Sequence, residues 1–218
     1  MNTYAVQQRW PESRELADIL ADIKFGTPCL FDVAQTIFQE TVDPEAYHHT
    51  PSPDEILQCN MAFSEWSVFD FDLGNEMTPI KRAARCDPSL KEFADTQFYS
   101  IFWVISQDKE ADLTRLRDIV TCEDFLVKDH MLAHKERWAT GTLGTRIARV
   151  GKEWHLAGQV HLHDNAESEP LPHAEGGDGL GIQNPSAFIG HVESVLGHNG
   201  IYNDSFLGGE IMDAYRPV

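Results

Sequence analysis

Long apolar runs are missing from this 218-residue chain. No stretch approaches the ~20 consecutive apolar residues that a membrane-spanning helix needs. The opening MNTYAVQQRWPESRE lacks the basic start and apolar stretch of a secretory leader, so a cytoplasmic location is expected. Cysteine is sparse: Cys29, Cys59, Cys86 and Cys122 lie far apart with no C-x-x-C pair, which excludes a disulfide framework and a zinc knuckle. They are expected as reduced thiols, buried as small hydrophobes. Catalytic signatures are missing too: there is no G-x-S-x-G elbow and no P-loop, and the GGDGLG stretch follows no apolar strand. Cys59, inside a helix, and Cys86, at a helix end, read as packing residues rather than nucleophiles.

Basic residues are scarce, 17 Lys and Arg against 35 Asp and Glu, giving a net charge of −18. That balance repels nucleic acid and anionic lipid, so neither a membrane nor duplex DNA is expected as a partner. The distribution is uneven. Residues 1–80 carry 3 basic and 14 acidic side chains, residues 81–152 carry 13 and 11, and residues 153–218 carry 1 and 10. Hydrophobic content of 42% places the chain among packed globular proteins.

What the chain does have is punctuation. Thr27-Pro28, Ser52-Pro53, Thr78-Pro79 and Asp87-Pro88 each pair a capping side chain with a proline suited to the first helical position. Ser52 and Glu55 complete a capping box, so a helix is predicted from Pro53 to Asp70, with Ile56, Met61, Ala62, Phe63, Trp66 and Phe69 as its buried stripe. Helices are also predicted over residues 12–24 and 28–40, with shorter ones after Pro79 and Pro88 that turn Leu90 and Phe93 inward.

At Gln97 the pattern changes. FYSIFWVIS is apolar on both faces and reads as a strand covered on each side. Four more follow: Leu113 to Val120, FLVKD from Phe125, TRIARV and EWHLAGQVHL, the last two joined by a Gly151-Lys152 hairpin turn. The expected fold is α+β: a helical region (1–96), a small antiparallel β barrel or rolled sheet (97–163), a flexible acidic Gly/Pro loop (164–183), and a C-terminal helix and tail (184–218).

Several of these pieces, taken in order, resemble a family of bacterial proteins of unknown function. They are F-x-E-W-x-x-F-D from Phe63 to Asp70, T-P-I at Thr78 to Ile80, FYSIFWVI, L-x-D-x-V from Leu116 to Val120, A-R-V at Ala148 to Val150, and W-x-L-x-G from Trp154 to Gly158. The resemblance covers roughly residues 50–160 and implies helices feeding a small β module, without a known activity. Some members end in a Cys-rich zinc-binding tail. This chain has no cysteine after Cys122, so that site does not carry over.

Three candidate sites emerge. His161 and His163, two apart on a strand, face one side, with His155 upstream and His173, Asp164 or Glu175 as third ligands of a metal site. No third ligand is preset, and no cofactor and no stoichiometric zinc are expected. Glu65, Asp70, Asp72 and Glu76 form a carboxylate cluster whose spacing does not match a calcium loop; pairing with Lys81, Arg82 or Arg85 is expected instead. Arg117, Arg146 and Arg149, with Arg115 and Lys128, mark a basic surface on the β module suited to nucleic acid or peptide, diluted by Asp118, Asp124 and Asp129. The function expected is non-enzymatic, a module whose partner is another protein. The alternatives are nucleic-acid binding through the β part and a metal-dependent hydrolase using His161 and His163.

Overall fold

The computed structural model describes residues 6–41, 53–164, 172 and 203–204. Helices come first: α1 (Ser13–Ala21), continued by a π turn over Asp22–Gly26, then α2 (Pro28–Thr41), α3 (Pro53–Phe69), α4 (Pro79–Cys86), a 3-10 turn over Pro88–Leu90, and α5 (Lys91–Thr96). The strands are β1 (Phe98–Asp108), β2 (Leu113–Asp118), β3 (Asp124–Lys128), β4 (Thr142–Val150), β5 (Glu153–Asp164) and a short β6 (Asn203–Asp204), with α6 (His130–His134) between β3 and β4. No helix among the described residues is long and apolar enough to cross a membrane.

Strand order is β3-β2-β1-β4-β5-β6, and β3 pairs back onto β5, so β1 to β5 close into a barrel. The expected α+β architecture with a small barrel is therefore present. One ladder differs from an all-antiparallel plan: β3 and β5 run parallel, meeting at Val127 and Trp154. Gly151 makes the β4–β5 turn with φ +68°, a conformation glycine adopts without a Cβ clash.

Two cores share the β4–β5 wall. Inside the barrel Phe98, Phe102, Leu116, Phe125, Leu143, Ile147, Leu156 and Val160 pack together. Leu132 and Trp138, from α6 and the turn after it, join this cluster. On the outer side, Ala148 and Ala157 join Leu16, Leu20, Val68, Phe69, Ile80, Leu90 and Phe93 in the helical core. Small residues there let the helices approach the sheet closely.

Some local expectations need correction. Phe69 is buried, but Phe63 and Trp66 are only half-buried, each capping an aromatic chain through Phe38 at 5.3 and 5.5 Å. Ile56, assigned to the buried stripe, is exposed. Cys29 and Cys86 are exposed and Cys59 and Cys122 half-buried, rather than buried. Asp87 caps as predicted, accepting from the Ser89 amide at 3.0 Å, whereas the Thr78 side chain makes no cap bond. The Ser52 cap, the 165–171 and 173–183 parts of the acidic loop and the helix expected after Pro185 lie outside the described residues.

Candidate metal centre

The carboxylates of the F-x-E-W-x-x-F-D stretch do not meet the cations of α4. Glu65 and Asp70 instead reach across to the barrel, where Arg146 Nε donates to Glu65 Oε1 at 2.9 Å and Arg146 Nη2 to Asp70 Oδ2 at 2.7 Å. Arg146 therefore cannot belong to a basic surface: it is fully buried, with Phe69 and Tyr99 beside its guanidinium. Burial works against its charge, and attraction by Asp70 and Glu65 outweighs that cost and raises its pKa. Glu65 is pushed up by burial, opposed by Arg146 and by the Gln159 amide, which donates to Oε2 at 3.0 Å. Its carboxylate fills the space above Gly158, where an added Cβ would lie 2.6 Å from Oε1.

The other three arginines expected on the basic surface are also engaged. Arg117 Nε donates to Asp124 Oδ1 at 2.6 Å and Arg115 lies 3.6 Å from the same carboxylate group. Arg149 pairs with Glu92 at 3.3 Å and lies over Trp154. Asp72 turns inward on its own loop, accepting from the amides of Gly74 and Met77. Glu76 is exposed at φ +59°. Among the described residues these four acids do not gather into a cation site: Glu65 and Asp70 share the Arg146 guanidinium, Asp72 is taken up by its own loop, and Glu76 points to solvent.

His161 and His163 lie in β5, with His161 opposite Gly144, and their side chains and His173 lie outside what the structure describes. His155 is held by the Lys128 carbonyl at 3.0 Å and rests against Trp10.

A different histidine pair is assembled at the end of the β2–β3 ladder. The ladder ends on the Leu113–Lys128 pair, and the next backbone bond, from the Asp129 amide to the Asp112 carbonyl at 2.9 Å, sets these two residues side by side. Asp129 then starts α6: its Oδ1 accepts from the Leu132 amide at 2.7 Å, as an N-cap should. Within that helix His130 and His134 are four apart, so their rings stack one turn above another, 4.2 Å between centroids. Gln107 of β1 donates its side-chain amide to the Leu132 carbonyl at 2.7 Å and fixes the helix against the barrel.

Both rings converge on one oxygen. His130 Nδ1 lies 2.9 Å and His134 Nε2 3.1 Å from Asp112 Oδ1, and the three ligand atoms all fall within 4.8 Å of one another. Hydrogen bonds from His130 and His134 hold the Asp112 carboxyl below its usual range. Donors of a tetrahedral zinc site stand about 3.3 Å apart, so replacing the two ring protons by one cation needs little movement. Two imidazoles and a carboxylate suit zinc, nickel, cobalt or copper better than magnesium or calcium, which prefer oxygen alone. Side-chain exposure is 72% for His130, 43% for Asp112 and 39% for His134, so water has access to the remaining coordination positions.

Sequence reasoning passed over this group because a five-residue helix carries too little periodicity to detect. The signal was nevertheless present: an Asp N-cap directly before H-x-x-x-H, a spacing that puts two imidazoles on one helical face.

No protein-family model, no curated protein and no solved structure matches the chain.

Proposed function

We propose that this chain is an accessory module that binds another protein and carries a divalent transition-metal ion at Asp112, His130 and His134. The convergence of both rings on Asp112 Oδ1 is the observation that carries the metal part of the reading. The ion would tie α6 to the β1–β2 turn. That helix contributes Leu132 to the barrel core, so the metal acts as a staple on the barrel. A protein partner is supported by apolar side chains left in solvent on two helices, Val33 and Ile37 of α2 with Ile56 and Leu57 of α3. The ligands sit on an exposed rim rather than in a cleft that encloses a substrate, which favours a structural role over catalysis. The four separate free cysteines fit a reducing, cytoplasmic setting. The resemblance to bacterial proteins of unknown function fits the same reading: Glu65, Asp70 and Gly158, three of its motif positions, join the helices to the barrel.

The barrel itself supports a second reading. Its strand order, with one helix between β3 and β4, is that of oligonucleotide- and oligosaccharide-binding barrels, whose ligands cross strands 2 and 3. On that face Arg115 and Arg117 are both committed to Asp124, so nucleic acid ranks behind a protein partner.

Thermal unfolding tests the staple. Chelator-stripped protein reloaded with zinc at a hundredfold excess over its dissociation constant should gain about 2.7 kcal/mol of stability. The His134→Ala variant should gain nothing. An unchanged transition would remove the metal from the reading, and zinc-dependent ester hydrolysis by the loaded protein would replace it with a metal-dependent hydrolase.

A further inference from the structure

On the helical side of the molecule a groove of about 450 Å³ opens between the start of α2, the turn from Leu73 to Met77, and α4. Leu30, Leu73 and Met77 line it with apolar side chains, Gly74 and Asn75 with the turn, and Arg82 and Arg85 with charge. These two are three apart on α4, so they stand on one face, while Ile80 and Ala84 face the core.

Arg82 and Arg85 stand together on α4, whereas Arg14 of α1, also exposed and without a carboxylate partner among the described residues, has no second arginine on its helix. Acidic side chains outnumber basic ones 35 to 17, and Arg9, Arg115, Arg117, Arg146 and Arg149 all have carboxylate partners. Among the described residues Arg82 and Arg85 have no side-chain partner, although both are exposed and a single carboxylate between them would relieve their repulsion. The facing wall is strained. Gly74, Asn75 and Glu76 have φ of +110°, +58° and +59° in succession, held by the Asp72 carboxylate and by a bond from the Leu73 amide to the Met77 carbonyl. Non-glycine residues keep such angles only where their surroundings impose them, and such strain concentrates at ligand clamps.

We propose that this groove binds an oxyanion, carboxylate or phosphate, carried on an apolar group: the anion between Arg82 and Arg85, the apolar body on Leu30, Leu73 and Met77. Guanidinium forks match both anions, and a cavity of this size lies within the ~300–1,000 Å³ range of small-molecule sites. The groove is built from helices and one turn, apart from the barrel residues of the metal centre, so its test is independent of that reading.

Phenyl phosphate, phenylacetate, inorganic phosphate and benzyl alcohol, titrated into the full chain and followed by calorimetry and amide NMR shifts, decide it. At least one aromatic anion should bind tighter than inorganic phosphate, shift residues 73–77 and 82–85, and lose about tenfold or more in affinity in an Arg82→Gln/Arg85→Gln variant. Both side chains are exposed, and an unchanged melting temperature verifies that the variant folds. The stronger of the two aromatic anions tells phosphate from carboxylate. The proposal fails if neither aromatic anion binds, if inorganic phosphate or benzyl alcohol binds as tightly, or if the variant retains full affinity.

Discussion

Arg146 and Glu65 stand 81 positions apart in the chain, and their side chains meet at 2.9 Å with both ends buried. With Asp70 on the second guanidinium nitrogen, this contact is the polar centre of the joint between helices and barrel. Removing one partner of a buried pair strands the other charge. Arg146→Ala should therefore cost about 3–5 kcal/mol in denaturant unfolding. Adding Glu65→Gln and Asp70→Asn to Arg146→Met should recover part of that loss, since no unpaired charge is then buried.

Gly158 makes a related prediction. An added methyl group would lie 2.6 Å from Glu65 Oε1 and 2.8 Å from Arg146 Cβ. Neither neighbour can retreat without breaking the ion pair, so Gly158→Ala should cost about 1–3 kcal/mol. Pairing it with Glu65→Ala should remove the part of the penalty that comes from the carboxylate and leave the part that comes from Arg146 Cβ, measurable as a double-mutant cycle.

These relationships explain what the sequence could and could not disclose. Proline at a first helical position acts within one turn, so the helices starting at Pro28 and Pro79 and the 3-10 turn starting at Pro88 were readable, as was the two-residue turn at Gly151. Arg146 was not. It sits in TRIARV among alternating residues that look like an exposed strand face, and only the packing of α3 and α5 on the β4–β5 wall turns that face inward. The same ignorance of long-range partners sent Glu65 and Asp70 to the nearest cations, Lys81, Arg82 and Arg85. The parallel β3–β5 ladder was equally hidden, because its strands are separated by α6 and β4.

The N-terminal segment should open in acid. Arg9 bonds Glu15 at 2.6 Å and Asp87 at 2.7 Å, tying the segment before α1 to the end of α4. Bonds from Ser89 and Arg9 lower the Asp87 pKa from 3.8 to about 2, and Arg9 lowers that of Glu15. Both carboxyls are depressed in the folded state, so their contribution is complete above their ordinary values and is lost as pH falls through the depressed ones. Trp10, edge-on to Phe93 at 4.7 Å, reports the change. Its fluorescence should shift between about pH 4 and pH 2, and Arg9→Gln should move that transition to higher pH.

Asp112, His130 and His134 are proposed to hold one metal ion. Calorimetric titration of zinc into the chelator-stripped full chain tests it most directly, run beside His130→Ala/His134→Ala and His161→Ala/His163→Ala. One ion per chain should bind at about micromolar affinity or tighter, with binding abolished in the first variant and unchanged in the second. Absent binding in the wild-type chain, or binding that survives loss of His130 and His134, would contradict it.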